Sequence, residues 1–310
     1  MSDAASPIEQ VLLPPTRDLG DGFRVRRALP ARERRTIGPF VFFDQMGPTD
    51  FAAGNGLDVR PHPHIGLATM TYLFEGEILH RDSLGNAQLI QPGEVNWMVA
   101  GRGIVHSERT PAALRTAPAR LSGIQMWVGL PQAEEQRPAS FAHHAAATLP
   151  QLEHGGVRLR LIAGTFQGAR APVETLSPIF FVDARLQPGA RLRLTPEHPE
   201  RALYVSHGTA WIDGQAFEAG RMLVARAGLT VEVEARADAR LLLLGGAPLD
   251  GPRYLWWNFV ASERGALERA AEGWRSGRFP GVPGDDEFIP LPDTPLPVGV
   301  AEPCRPVSYP

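Results

Sequence analysis

Cysteine is almost missing: Cys304 is the one such residue in a chain of 310. A lone thiol excludes an internal disulfide framework and fits a reducing cytoplasm, and no histidine or CxxC partner stands beside it. Long apolar runs are also lacking, and no segment approaches the length of a membrane span. The opening MSDAASPIEQVLLPPTRDLG has no basic stretch followed by an apolar one, as a secretory leader would. The expected setting is therefore cytoplasmic and away from membranes. Neither sign of charge is in excess, since 31 Lys plus Arg against 34 Asp plus Glu leave a net charge of -3. No broad basic face points to direct nucleic-acid binding. The local groups Arg24, Arg26, Arg27 and Arg32, Arg34, Arg35 read as solvated strand and loop positions. With 32 Gly and 30 Pro, turns are frequent and long helices scarce.

What is present is enough apolar material for more than one core. The hydrophobic fraction of 43% is ordinary for a globular protein, and 310 residues exceed what one core serves. Short apolar runs between turns at Leu84-Gly85-Asn86 and Gln91-Pro92-Gly93 describe an antiparallel barrel or jelly roll. Residues 132–150 are Pro- and Ala-rich without strand periodicity, and read as an interdomain connection. Alternating strands return beyond them, clearest at Leu192, Leu194 and at Val231, Val233.

Two short words carry chemistry: His62-Pro63-His64 and His106-Ser107-Glu108. Side chains alternate along a strand with period two, so each word turns both its terminal side chains to the same face. His62, His64, His106 and Glu108 can then address one centre. Three imidazoles and a carboxylate form a borderline donor set that suits iron, copper, nickel, manganese or zinc, and not calcium or magnesium. Four protein ligands leave room on a metal that takes five or six, as a catalytic site requires. Asn96, Gln125 and the backbone of Gly101-Arg102-Gly103 are candidates to orient the imidazoles. Ile65, Leu67, Trp97, Met98 and Trp127 are candidate pocket walls, and His80, His143, His144, His154, His198 and His207 read as ordinary hydrogen-bonded residues.

Gly93, Val99, Gly101 and His106 are similar to the second cupin motif, and His62, His64 and Gly76 to the first. The usual first-motif glutamate is replaced near Ala68 or Thr69, and the carboxylate stands instead at Glu108. With IGPFVFFDQMGP at 37 to 48, HPHIGLATMTYLFEGEILHRDSLG at 62 to 85, QPGEVNWMVAGRGIVHSE at 91 to 108 and IQMWVGLP at 124 to 131, the chain resembles the pirin family of the cupin superfamily. The resemblance implies an all-β jelly-roll bicupin of two cupin-type β-barrels, with metal bound only in the first by His62, His64, His106 and Glu108. It divides the chain into a metal-binding N-terminal barrel at 1–131, the connection at 132–150, and a C-terminal barrel without metal ligands at 151–310. A weak internal repeat agrees: His198 through Val205 echoes His62 through Leu73, and no histidine stands between Leu229 and Ala235. Ile65, Gly66, Leu67 and Ala68 replace the Arg, Gly, Phe, Glu common in the family, so the substrate follows less directly than the metal.

The last part of the chain predicts a short C-terminal helix from about Ser262 to Arg275, capped by Ser262, with Leu267, Ala270, Ala271 and Trp274 on one face. Before it Tyr254 to Phe259 reads as an aromatic strand, and after it a Pro-rich extended tail covers the surface. The resemblance also implies a metal-dependent oxidoreductase of quercetin 2,3-dioxygenase type, acting with dioxygen on a flavonol or related small aromatic enediol. The expected cofactor is one divalent transition metal, Fe(II) first, with Cu, Ni, Mn or Zn also compatible. Glu108 is expected to serve as catalytic base toward the substrate hydroxyl. The alternative is a non-enzymatic metal- or redox-sensing regulator that acts through a protein partner.

Overall fold

Residues 5–18 and 23–296 are described by a computed structural model of the chain, and Cys304 lies outside them. Two sheets form the first domain. A seven-stranded antiparallel sheet runs in the order Ser140–His144, Val95–Val99, Leu67–Glu75, Ala119–Gly129, Phe40–Phe51, Arg24–Leu29 and Thr16–Asp18. Opposite it lies a four-stranded sheet of Asp58–His64, Ile104–Arg109, Ile78–Asp82 and Ala87–Ile90. The second domain repeats the plan. Its large sheet contains Met222–Ala225, Glu200–His207, Ala239–Gly246, Ile179–Leu186 and Val157–Phe166, and its small one Arg191–Leu194, Val231–Glu234, Thr209–Ile212 and Gln215–Glu218. These paired jelly-roll sheets are the expected all-β bicupin architecture.

Period-two patterning explains how the domains meet. Ala68, Met70 and Tyr72 of one strand, with Ile124 and Met126 of its neighbour, leave the first large sheet on its outer face. There they join Phe181, Tyr204, Leu242 and Leu244 of the second large sheet in one fully buried cluster. Hydrogen bonds cross it: the Tyr72 hydroxyl donates to Asp183 Oδ2 at 2.9 Å, and the Tyr204 hydroxyl to Gln45 Oε1 at 2.7 Å. The two large sheets therefore stand back to back.

The inner faces differ. In the second domain Leu159, Phe180, Leu192, Val205, Val233 and Leu243 belong to one continuous apolar cluster. In the first the apolar interior is split into separate groups, around Leu73 and Ile90, around Leu67 and Trp127, and around Met98 and Ile104. The buried polar residues His62, His64, Thr71, His80, Asn96, His106 and Glu108 belong to that domain. A fold that fills one interior with leucine and the other with histidine keeps the second only if those groups find partners.

Both ends of the chain cross over. Strand Ile8–Leu12, which the sequence groups with the first domain, pairs with Met222–Ala225 in the second. Residues 254–296 return to the first: the hairpin Tyr254–Trp256 and Phe259–Ala261 and the helix Arg264–Arg275 bury Trp256, Phe259, Leu267, Ala270 and Ala271 against Ile65. The expected aromatic strand is thus a hairpin, turned at Trp257 with φ 51. The helix starts two residues later than expected, with Glu263 at the N-cap and no side-chain cap. Ser262 is unavailable as a cap because its N–H and Oγ donate to the Glu135 carboxylate at 2.9 and 2.8 Å. Within the stretch 132–150, strand Ser140–His144 adds to the edge of the first large sheet by pairing with Val95–Val99.

Candidate metal centre

Strand Asp58–His64 forms the edge of the small sheet, which is where prolines are tolerated because no ladder needs their missing N–H. Pro61 and Pro63 therefore fit there, and His62 lies directly opposite His106 on the neighbouring strand. His64 pairs with Ile104, and a register shift separates His106 from Glu108. Coordinating atoms of His62, His64 and His106 all lie within 4.8 Å of one another, and all three residues are buried. Glu108 is outside that set. It is buried too, and its Oε1 lies 3.0 Å from the Thr71 hydroxyl, whose single proton is shared with Gln125 Oε1 at 2.9 Å.

The outward nitrogens settle which nitrogens face inward. His62 Nδ1–H donates to the Arg60 carbonyl at 2.9 Å, and His64 Nδ1–H to the Asn258 carbonyl at 3.0 Å. A neutral imidazole that donates from Nδ1 keeps a lone pair on Nε2. His106 Nδ1 faces His80 Nδ1 at 3.4 Å, while its Nε2 lies 3.1 Å from His64 Nε2. Burial lowers all three imidazole pKa values, His62 to about 4, with the neighbouring imidazoles adding to the drop for His64 and His106. The result is a buried cluster in which His62 and His64 carry Nε2 lone pairs and the His106 Nε2 lies beside that of His64. A shared cation could bind all three rings, and the donor set fits a transition metal. Burial raises the Glu108 pKa, with the Thr71 hydrogen bond working the other way.

The Asn258 carbonyl reaches His64 because the hairpin lies directly on residues 65 and 66. Val260 N–H donates to the Ile65 carbonyl at 3.1 Å, and Gly66 has φ +67 with a would-be Cβ 1.9 Å from the Val260 oxygen. Only glycine fits there. The tail beyond the helix continues the cover: Ile289 N–H donates to the Pro61 carbonyl at 2.8 Å, and Arg109 Nε to Asp285 at 2.8 Å.

Several sequence expectations about this neighbourhood need correction. Asn96 accepts from His143 at 2.8 Å and Gln125 neighbours Thr71, while the Gly101 carbonyl receives the Gly66 N–H at 2.8 Å, so none of these contacts orients His62, His64 or His106. The orienting groups are two carbonyls, of Arg60 and Asn258, and His80. Carbonyls leave no mark in a sequence. His80 leaves one, because His80-Arg81-Asp82 repeats the period-two spacing of the ligand words on the adjoining strand. Trp127 does wall the site, edge-on to His64 at 5.2 Å and stacked on Phe42 at 4.1 Å, whereas Trp97 belongs to the interdomain core. His198 bonds the Thr165 carbonyl, and no comparable cluster of ligands occurs in the second domain among the described residues.

Two jelly-roll domains packed back to back, with imidazoles converging in only one, define a bicupin with a single candidate metal centre. The Pirin family model matches residues 22–128, and that of the Pirin C-terminal cupin domain residues 181–280. The chain belongs to the pirin family. A pirin-like protein of Caulobacter vibrioides is 48% identical over 282 residues, covering 89% of this chain and 96% of that protein. The crystal structure of quercetin 2,3-dioxygenase from Acinetobacter baumannii superposes with a TM-score of 0.87 at 36% identity, covering 94% of this chain and 97% of the other. A bacterial pirin from Escherichia coli, solved in complex with nickel(II), shares the fold at 19% identity with a TM-score of 0.60, over 77% of this chain and 100% of that one. No helix among the described residues is long and apolar enough to cross a membrane.

Proposed function

We propose that this chain is a metal-dependent oxidoreductase of quercetin 2,3-dioxygenase type, acting on a flavonol or a related enediol. The observation that carries the reading is the set of three buried imidazoles whose coordinating atoms lie within 4.8 Å of one another. The 36% identity to the Acinetobacter dioxygenase supports the reaction class. His62, His64 and His106 would hold the ion, with Glu108 as fourth ligand or as base. A bound divalent transition metal, Fe(II) first and Cu, Ni, Mn or Zn next, supplies Lewis acidity and, where redox-active, a route for electrons to dioxygen.

The remaining contributions come from the chain itself. Glu108 shares the strand face of His106, and burial raises its pKa, which makes it a stronger base. It would take the proton of a substrate hydroxyl, with the Thr71 hydroxyl donating to the carboxylate at 3.0 Å. Trp127 and Phe42 supply a flat apolar wall suited to an aromatic ring. The cover formed by the hairpin and tail excludes water from the imidazoles.

An aerobic assay of the iron-loaded protein against a flavonol panel tests this reading. We expect oxygen-dependent turnover that falls at least about 100-fold in Glu108→Gln, the scale of a lost general base. A fully metallated protein that consumes no flavonol contradicts it.

A further inference from the structure

We propose that His80 and Asp82 are positioning residues that form a relay behind His106 and fix which of its nitrogens faces the metal. This rests on the reading of His62, His64 and His106 as a metal centre. The other two ligands are oriented by backbone carbonyls, which can only accept and so dictate an Nδ1–H without assistance. His106 has no such carbonyl. Its Nδ1 meets another imidazole nitrogen, His80 Nδ1, at 3.4 Å, and two such atoms are compatible only if one donates and the other accepts.

Asp82 breaks the tie. His80 Nε2 lies 3.1 Å from Asp82 Oδ2, and the carboxylate is surrounded by donors: Leu84 N–H at 2.9 Å, Asn86 N–H at 3.1 Å and the Asn86 side-chain amide at 2.8 Å. An acceptor-only carboxylate requires the proton of neutral His80 on Nε2, which leaves His80 Nδ1 with a lone pair. His106 then donates from Nδ1 and presents its Nε2 lone pair to the space shared with His64. Both groups behind His106 are enclosed. Asp82 is 0% exposed and His80 3%, and the His80 ring stacks on Phe141 with centroids 4.4 Å apart and planes 14° from parallel. Outer groups of this kind set ligand orientation and basicity in metal sites generally.

Three variants test the relay, with Co(II) as the probe. His80→Phe keeps the stack on Phe141 and removes the nitrogens. His80→Asn restores an acceptor oxygen near the position of Nδ1. Asp82→Asn preserves the turn's acceptor while offering His80 a donor, which reverses the relay. Co(II) affinity is read by competition with a chelator, the ligand-field spectrum of the bound ion by absorbance, and folding of the metal-free protein by thermal denaturation. The relay predicts a loss of about 10- to 100-fold in Co(II) affinity for His80→Phe and for Asp82→Asn, with a shifted spectrum and partial recovery in His80→Asn.

Should His80→Phe fail to fold, Asp82→Asn carries the test by the same readout. Wild-type affinity and spectrum in the folded His80→Phe or Asp82→Asn protein would overturn the relay. A His64→Ala control separates the two levels of argument. If it loses Co(II) while His80→Phe and Asp82→Asn do not, only the relay falls; if it retains Co(II), the metal centre falls and takes the relay with it.

Discussion

Burial disfavours the charged form of the three clustered imidazoles, and that links the candidate site to stability. His62 titrates near 4 in the folded chain against an ordinary value of 6.5, and His64 and His106 are lowered as well. Between those values the unfolded chain binds more protons than the folded one, so metal-free stability rises with pH and is lost as pH falls from 6.5 toward about 4. Each histidine contributes at most about 1.4 kcal/mol per pH unit in that window. Glu108, with its raised pKa, acts in the opposite direction, so the histidine share is best isolated by difference. Urea unfolding of the metal-free protein between about pH 7 and 5.5 should show a shallower slope in His62→Gln than in wild type. Identical slopes would mean that His62 is not held neutral by its surroundings.

Single elements position the candidate ligands, and at Gly66 the approach of the hairpin leaves no room for a side chain. An alanine there would put its Cβ 1.9 Å from the Val260 oxygen at φ +67, so the hairpin that carries Asn258 must move. We expect Gly66→Ala to lose at least about 2 kcal/mol in chemical denaturation. It should also release bound metal at a lower chelator concentration than wild type, because His64 Nδ1 loses its carbonyl at 3.0 Å. Unchanged metal retention would separate the hairpin from the site. The two words were legible because period two is a local property: His62 with His64, and His106 with Glu108, can be placed on shared strand faces from spacing alone. Their anchors were not. Asn258 is 194 residues from His64 and acts through its backbone, while the spacing of His80 and Asp82 is visible in the sequence but the approach of His80 to His106 is not. Ser262 failed as a predicted cap for the same reason, since Glu135 claims it from 127 residues away.

The whole molecule makes one centre depend on both halves. Its domains share a core in which Phe43 meets Tyr204 at 4.9 Å, and Arg240 clamps Asp183 while lying 3.5 Å over the Phe74 ring. The N-terminal strand completes the second domain and the C-terminal segment covers the first, so neither jelly roll is self-contained. The two-domain plan could be read from turn spacing and the weak repeat, but the crossing of the ends could not, because pairing partners at such separation have no sequence signature. In the second domain Leu192, Leu194, Val231 and Val233 belong to one continuous apolar cluster, and no comparable group of imidazoles converges there among the described residues. Metal content measures the central claim most directly. Elemental analysis of protein purified without added ions should find one transition-metal ion per chain in wild type and almost none in a folded His64→Ala variant. Equal metal in both proteins would contradict the account.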